Sequence, residues 1–131
     1  MRIRSISSWI KSCVGVEVMK SDAFILRNEL LNDGCSIYLY FSRMYEEYVA
    51  YGYSAFVAVE ICMPANVALK ESYSDSFQMP MVKVNRDQLA LLRTKGLVME
   101  DSSADESYLH IQSFIPFDES KYEEWAHTLR G

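Results

Sequence analysis

The chain has 131 residues, a formal net charge of −5, and a composition that is 50% hydrophobic and 24% charged. This balance predicts one globular domain over residues 1–131 with a real core, and it excludes a disordered chain. The sequence lacks the ~20 consecutive apolar residues of a membrane-spanning helix, and serines and Lys11 interrupt the apolar run after Arg2 and Arg4, so we expect neither a membrane anchor nor a secretory signal.

The first third of the chain predicts a helix, a strand and a second helix. Apolar residues recur at helical spacing over residues 6–13, and three valines alternate with other residues over 14–18, which is typical of a strand. Ser21 or Asp22 would cap a second helix through Ala23, Leu26 and Leu30, with Gly34 just beyond its end. The Asn-Asp-Gly sequence at 32–34 would also suit a hairpin turn, so both interpretations stay open.

The middle of the chain predicts two strands and a loop. Residues 37–41 alternate apolar and tyrosine side chains, which indicates a strand, whereas 44–51 fit either a helix or a tyrosine-rich strand. The most strand-like run is 56–62, which ends before Pro64. Residues 71–80 are polar and rich in serine, so we expect a loop there.

The last third of the chain carries two candidate capping boxes. Asn85 with Gln88 predicts the start of a helix that stops at Gly96, after a short strand over residues 81–84. Residues 97–99 and 108–114 predict two strands joined by an acidic loop. Ser120 with Glu123 predicts the start of a final helix that carries Tyr122, Trp125 and Leu129 on one face.

These elements predict an α+β fold with a largely antiparallel or mixed sheet. Three or four helices and five or six strands are expected, and strands and helices do not alternate as they do in doubly wound folds. The apolar faces of these elements predict the core residues, which are Trp9, Leu39, Val57, Val59, Leu89, Leu92 and Trp125.

Cysteine and histidine usage argues against disulfides and bound metal. The three cysteines, Cys13, Cys35 and Cys62, are odd in number and widely spaced, which predicts reduced and largely buried thiols and a cytoplasmic location. The two histidines are expected to be half-buried (His110, in a strand) and exposed (His127, in the last helix). Neither has a partner at ligand spacing, so we expect no metal.

Familiar catalytic and nucleotide-binding motifs are missing from the sequence. The chain has only five glycines, and it contains no Gly-x-Ser-x-Gly elbow, Walker loop or glycine-rich dinucleotide turn. Its basic residues are scattered singly in a chain of net charge −5, which disfavours nucleic-acid binding.

The acidity of the protein is concentrated in one segment, residues 100–124. This segment has a net charge of −7, whereas the remaining residues together are net +2. A solvated loop and a well-capped helix would account for such a pattern, and so would an acidic surface that attracts a basic partner. The eight carboxylates are those of Glu100, Asp101, Asp105, Glu106, Asp118, Glu119, Glu123 and Glu124.

Tyrosines are concentrated in a second segment, residues 38–53. Tyrosine is enriched at protein interfaces because it combines apolar area with a hydroxyl group. An aromatic sheet face covered by the protein's own helices would account for the same pattern. The candidate contact residues are Tyr38, Tyr40, Tyr45 and Tyr48.

In size, acidity and lack of a catalytic motif, the chain is similar to the immunity proteins that neutralise secreted nuclease toxins in bacterial competition. That resemblance implies a small cytoplasmic inhibitor that binds a basic protein, such as a nuclease toxin, and covers its active-site cleft. The acidic segment and the tyrosines would then form the contact, with neither nucleic acid nor membrane as a partner.

An enzyme is the alternative. The Leu-Tyr-Phe-Ser sequence ending at Ser42, the run through Tyr51, and Glu106 just before Tyr108 resemble the element order of small ADP-ribosyltransferases. That resemblance implies NAD as cofactor, with Glu106 as the catalytic glutamate, Ser42 in the Tyr-x-Ser position and Arg4 as the first-strand residue. The family's Glu-x-Glu sequence is not present.

Overall fold

The computed structural model describes residues 15–131, and the side chains from residue 22 onward. The described chain divides into two compact units, of which the first contains helix α1 (Gly15–Leu31) and the second is Asn32–Gly131. The helix expected over residues 6–13 lies outside the described residues. A single domain over residues 1–131 stays a prediction.

The strand expected over residues 14–18 is wrong within the described part of the chain, because Gly15 already begins α1. Five alternating residues are too few to separate a strand from a helix, since valine occurs in both. The end of the second predicted helix is confirmed at Leu31. The Asn-Asp-Gly sequence forms a local turn that leads into the first strand, with Gly34 N–H donating to Asn32 Oδ1 at 2.9 Å.

The second unit is built on a six-stranded sheet in which every neighbouring pair is antiparallel. The strands lie in the order β3-β4-β2-β1-β6-β5. Together with the four α-helices among residues 15–131, this confirms the α+β fold class. The strands are β1 (Ser36–Ser42), β2 (Glu47–Tyr51), β3 (Lys70–Ser74), β4 (Met79–Val84), β5 (Leu97–Val98) and β6 (Tyr108–Gln112). The helices are α2 (Gly52–Cys62), followed by a 3-10 turn (Met63–Ala65), α3 (Arg86–Lys95) and α4 (Glu119–Arg130).

Alternation along the strands gives the sheet two different faces. On one face, Ile37, Leu39, Val82, Leu109 and Ile111 are buried in the core. On the other face, the side chains are mainly aromatic and half-buried, namely Tyr38, Tyr40, Tyr51, Tyr108 and His110. The segment 44–51, whose sequence fits either a helix or a strand, contributes strand β2.

The strand expected over residues 56–62 is wrong, because these residues belong to α2. Nearly every side chain of α2 is buried, from Ala55 to Cys62 with the exception of Glu60. A helix that is surrounded by protein has no polar face, so its sequence is a continuous apolar run like that of a buried strand.

The loop expected over residues 71–80 is wrong in part, because it contains most of the β3–β4 hairpin. Strand β3 lies at the edge of the sheet and exposes Lys70, Glu71 and Ser72, so its sequence is polar. An edge strand with one uncovered side does not need the apolar alternation that identified β1.

The first capping box is confirmed and the second is wrong. Asn85 Oδ1 accepts the Gln88 N–H at 2.9 Å, and Gln88 Oε1 accepts the Asn85 N–H at 2.8 Å. Helix α4 begins two residues earlier than expected, because Asp118 rather than Ser120 caps it, by accepting the Lys121 N–H at 3.2 Å. Asp and Ser are both good caps, and sequence spacing alone did not separate them.

The predicted core is confirmed at five of its seven positions, Leu39, Val57, Val59, Leu89 and Leu92. Trp125 is half-buried and packs against the core from α4. Trp9 lies outside the described residues. Within residues 15–131, no helix combines the length and apolar character needed to cross a membrane.

Candidate functional site

Strand β6 divides the acidic segment into two groups. The loop group (Glu100, Asp101, Asp105 and Glu106) precedes Tyr108, where β6 begins, and the helix group (Asp118, Glu119, Glu123 and Glu124) follows Gln112, where β6 ends. A strand advances about 3.3 Å per residue, so β6 alone separates the groups by roughly 13 Å. The two groups therefore lie towards opposite ends of the sheet.

Asp105 of the loop group holds its own loop together. Its Oδ1 accepts hydrogen bonds from the Ser107 N–H (3.0 Å), the Ser107 hydroxyl (2.8 Å) and the Ser103 hydroxyl (2.9 Å). These donors favour the charged form and lower the pKa of Asp105. The Asp105 carboxylate therefore stabilises the conformation of the loop.

Two further carboxylates of the loop group also have partners within the second unit. Asp101 contacts His110 Nδ1 at 2.9 Å, and Glu106 forms an ion pair with Arg93 at 3.3 Å. The backbone of Glu106 is left-handed, with φ of 62°, and its carbonyl accepts the Tyr48 hydroxyl at 2.5 Å. Glu100 is exposed and makes no hydrogen bond or ion pair with another described residue. Neutralising the loop would thus disturb its structure together with its charge.

The helix group is exposed as well. Asp118 caps α4, and Glu119 accepts the Tyr53 hydroxyl at 2.6 Å, which joins the first turns of α2 and α4. This bond, with partial burial, raises the pKa of Tyr53 to about 12. Glu123 and Glu124 are exposed side chains of α4. Charge on this group is therefore available to a partner.

A groove of about 360 Å³ runs between α2 and α4, which lie side by side. Ring contacts advance along both helices in the same direction, from Tyr53 against Tyr122 to Phe56 against Trp125. Phe56, Val59 and Trp125 give the groove an apolar floor. Its rim carries Glu60, Glu71, Glu124, Lys121, Thr128 and the exposed side chain of Met63. We call this the α2–α4 groove.

The lining of the α2–α4 groove suits a cationic side chain with an apolar stem. Three carboxylates (Glu60, Glu71 and Glu124) are opposed by one lysine, Lys121, so the rim is net negative. The Trp125 ring is fixed in the floor because its N–H donates to Glu71 Oε1 at 3.0 Å. Arginine and lysine combine a cation with an aliphatic stem, and both interact with an indole face.

A second, larger cleft of about 420 Å³ lies where β1 and β2 meet α3. Phe41, Tyr48, Val84, Leu89 and Ala90 form its apolar part. Its charged residues are Glu46, Glu47, Glu106, Arg86 and Arg93. Three of them are in ion pairs, since Glu47 contacts Lys70 at 3.5 Å and Glu106 contacts Arg93. Opposite charges are thus nearly balanced here, and we call this site the β1–α3 cleft.

The residues of the enzyme alternative are partly brought together at this end of the sheet. Phe41 N–H donates to the Ser107 carbonyl at 2.8 Å, which brings Ser42 and Glu106 to the same side of the molecule. Glu106 lines the β1–α3 cleft. The Ser42 hydroxyl accepts the Tyr45 N–H at 3.4 Å, within the turn between β1 and β2. Arg4 lies outside the described residues.

The four predicted contact tyrosines do not share a surface. Tyr38 and Tyr40 stack on Tyr108 across β1 and β6, with ring centroids 6.4 and 5.8 Å apart. Tyr48 lies on the opposite face and packs against the core. Tyr45 is exposed in the β1–β2 turn, where Lys83 Nζ sits 3.7 Å from its ring centroid.

Sequence reasoning missed most of the α2–α4 groove. Glu124 is among the predicted contact residues, but Glu60 lies in a run whose sequence predicts a strand and Glu71 in a run whose sequence predicts a loop. No local spacing joins these residues, because they meet only after α4 folds back over α2 and β3.

Comparisons with known proteins leave the family of this chain open: no family model, curated protein or solved structure matches it. Across residues 15–131, no group of three or more His, Cys, Asp and Glu side chains is arranged to hold a metal ion.

Proposed function

We propose that this protein is a small cytoplasmic inhibitor of a basic protein partner, acting as immunity proteins act on nuclease toxins. The α2–α4 groove would hold a lysine or arginine of the partner while the protein covers the partner's active-site cleft. The observation that carries this proposal is the arrangement of Glu60, Glu71 and Glu124 around Trp125.

The groove would both attract a basic side chain and define where that side chain binds. A guanidinium or ammonium over an indole ring gains about 0.5–2 kcal/mol, depending on how far water is excluded. The carboxylates of the rim add charge complementarity, and the exposed Glu123 extends the negative field along α4. Such a field accelerates encounter with a cationic cleft and is screened by salt.

Two further observations support a cytoplasmic binding protein. The described cysteines, Cys35 and Cys62, are free thiols, as expected in a reducing compartment. The net charge of −5 opposes binding to nucleic acid or to an anionic membrane surface. A basic protein is a partner class that suits this charge.

The test uses purified basic nuclease domains of bacterial toxins as probes. Binding is measured by calorimetry at low and high salt, and inhibition by the loss of nuclease turnover. We expect stoichiometric inhibition of a cognate nuclease. The triple variant Glu60→Gln, Glu71→Gln, Glu124→Gln should weaken binding by at least about 100-fold at low salt, in line with the 2–5 kcal/mol typical of buried interfacial charges.

A matched variant keeps the same change in charge but leaves the groove intact. Glu100→Gln, Asp75→Asn and Glu123→Gln are exposed positions outside the groove lining. We expect this triple variant to slow association slightly and to leave the dissociation rate unchanged. Equal losses in both triple variants would contradict a role for the groove, and inhibition of none of the nucleases would contradict the inhibitor proposal itself.

The β1–α3 cleft supports the enzyme alternative, an ADP-ribosyltransferase-like activity on NAD. Arg86 and Arg93 line it beside Glu106, and arginines suit the pyrophosphate of a dinucleotide. Nicotinamide release from NAD tests this alternative directly. If the protein is such an enzyme, Glu106→Gln should abolish release while Arg86→Ala raises the KM for NAD; a wild-type protein that releases no nicotinamide would exclude it.

A further inference from the structure

A hydrogen-bonded chain of serine, histidine and aspartate crosses strands β1 and β6 on the aromatic face of the sheet. The Ser36 hydroxyl lies 2.8 Å from His110 Nε2, and His110 Nδ1 lies 2.9 and 3.1 Å from the two carboxylate oxygens of Asp101. Ser36 and His110 are 74 positions apart in the sequence, so no local sequence motif predicts this contact.

The contacts fix the direction of every hydrogen bond when His110 is neutral. The Asp101 carboxylate only accepts, so His110 Nδ1 must carry the ring proton. His110 Nε2 is then an acceptor, and the Ser36 O–H must donate to it. This is the proton arrangement that a general base needs in order to activate a serine hydroxyl.

The strand register holds Ser36 and His110 in place. His110 pairs with Tyr38 and Gln112 pairs with Ser36, so His110 is a diagonal neighbour of Ser36 on the same face. The Tyr38 ring stacks on the imidazole with centroids 4.5 Å apart, which restricts rotation of the His110 ring. The His110 side chain is 14% exposed and that of Asp101 is 61% exposed.

The surroundings of Ser36 offer groups that acyl transfer requires. Gln112 is the direct cross-strand partner of Ser36, so its side chain leaves the sheet on the same face and can donate to a developing oxyanion. Leu97 pairs with Gln112 and is 52% exposed, which adds apolar surface for an acyl group one strand further out.

We propose that Ser36, His110 and Asp101 form a catalytic triad for the hydrolysis of esters with short, uncharged acyl groups. Ser36 is the nucleophile, His110 the general base and acid, and Asp101 the positioning residue that fixes the His110 tautomer. The site is separate from the α2–α4 groove and from the β1–α3 cleft, so it stands independently of the function proposed above.

The reaction needs only the ester and water. Ser36 Oγ adds to the ester carbonyl carbon while its proton passes to His110 Nε2. The tetrahedral adduct collapses, its bond to the leaving alkoxide breaks, and His110 returns the proton to that alkoxide. Water then adds to the acyl carbon with His110 as base, and the bond to Ser36 Oγ breaks to give the carboxylic acid and the free serine.

A fluorophosphonate probe tests the nucleophile. Ser36 Oγ should displace fluoride at phosphorus, and peptide mass spectrometry should locate the adduct at Ser36. Ser72 is the matched control, because it is an exposed serine in a strand of the same sheet. The proposal is overturned if Ser36 is labelled no faster than Ser72.

Variants of the other two residues test their roles. General-base catalysis is worth about 10²–10⁴-fold, so His110→Ala should lower the rate of Ser36 labelling by that factor. Asp101→Asn should lower the labelling rate, and Asp101→Glu should restore part of it, with thermal melts showing that each variant is folded. Since Asp101 is exposed, its variants keep the test decisive if His110→Ala fails to fold.

Turnover provides an independent measurement. With p-nitrophenyl acetate, we expect a release of p-nitrophenol that disappears in Ser36→Ala and persists in Ser72→Ala. Two results would overturn the proposal: equal hydrolysis by wild type and Ser36→Ala, or a rate of Ser36 labelling that is unchanged in His110→Ala. Either would show that the three side chains only stabilise the pairing of β1 with β6.

Discussion

The indole N–H of Trp125 donates to Glu71 Oε1 at 3.0 Å and so ties the last helix to an edge strand 54 positions earlier in the chain. The Trp125 ring also packs on Phe56, with centroids 5.5 Å apart. One side chain therefore links α2, α4 and β3 and forms the floor of the α2–α4 groove. Trp125 therefore contributes both to the stability of the fold and to the proposed binding site.

Trp125→Ala should destabilise the protein by about 2–4 kcal/mol, at the lower part of the range for large core side chains because Trp125 is half-buried. Trp125→Phe keeps an aromatic ring at this position and loses the hydrogen bond together with a smaller part of the packing, so we expect a smaller loss of about 1–2 kcal/mol. Urea denaturation measures both values. Equal losses would mean that the bond to Glu71, and not the packing, holds α4 in place.

The bond between Tyr53 and Glu119 should appear in alkaline titration. The pKa of Tyr53 in the folded protein is raised from 10.0 to about 12, first by the hydrogen bond to Glu119 and then by desolvation. Because the unfolded chain releases this proton more readily, the stabilisation is complete below pH 10 and is lost as pH rises towards 12.

Ultraviolet absorbance of phenolate follows this titration. Glu119→Gln should move the Tyr53 transition towards 10, and Glu123→Gln should move it much less, since Glu123 acts only through charge at a distance. A transition that stays where it is in Glu119→Gln would show that burial alone shifts Tyr53.

Asp105 should govern the order of the loop before β6. Hydrogen bonds from Ser107 and Ser103 lower the pKa of Asp105, so their contribution is present above the ordinary carboxyl value of 3.8 and fades as pH falls below it. We expect Asp105→Ala to raise amide hydrogen exchange at Ser107 and proteolytic cleavage in the loop. Glu100→Ala, a neighbouring exposed carboxylate, is the control and should change neither.

Gly34→Ala should be strongly destabilising. Gly34 has φ of +93°, and a Cβ there would lie 2.6 Å from Phe117 Cδ1. Left-handed strain together with this overlap predicts a loss of about 2–4 kcal/mol. Gly131→Ala is the control, because Gly131 has a similar φ of +82° but nothing lies within 4 Å of its Cβ position, so its substitution carries the backbone strain without the overlap. A thermal melt of Gly34→Ala that matched wild type would mean that Phe117 does not pack on Gly34.

The two described thiols should differ in reactivity. Cys35 is exposed, which makes the predicted burial wrong at this position, whereas Cys62 is buried in α2 as expected. Desolvation and nearby Asp33 raise the pKa of Cys35, and burial raises that of Cys62, so both thiols are protonated at neutral pH. Iodoacetamide should label Cys35 slowly in the folded protein and Cys62 only after unfolding. Labelling of Cys62 at the rate of Cys35 would indicate that α2 opens readily.

Local patterns in the sequence determined a large part of the fold. Strict alternation predicted β1, and the capping-box spacing of Asn85 and Gln88 predicted the start of α3. The hairpin of β5 and β6 and the half-buried state of His110 were also predicted correctly. Each of these features depends on neighbours within a few residues, so the sequence carries it directly.

Only the tertiary structure decided the identity of α2 and the composition of the sites. Burial on all sides removes the polar face that would distinguish a helix from a strand, so the run ending at Cys62 was ambiguous in the sequence. The pairs Trp125 with Glu71 and His110 with Ser36 join residues 54 and 74 positions apart. Such contacts depend on strand register and helix packing, because the sequence specifies which side chains are present and the fold decides which of them meet.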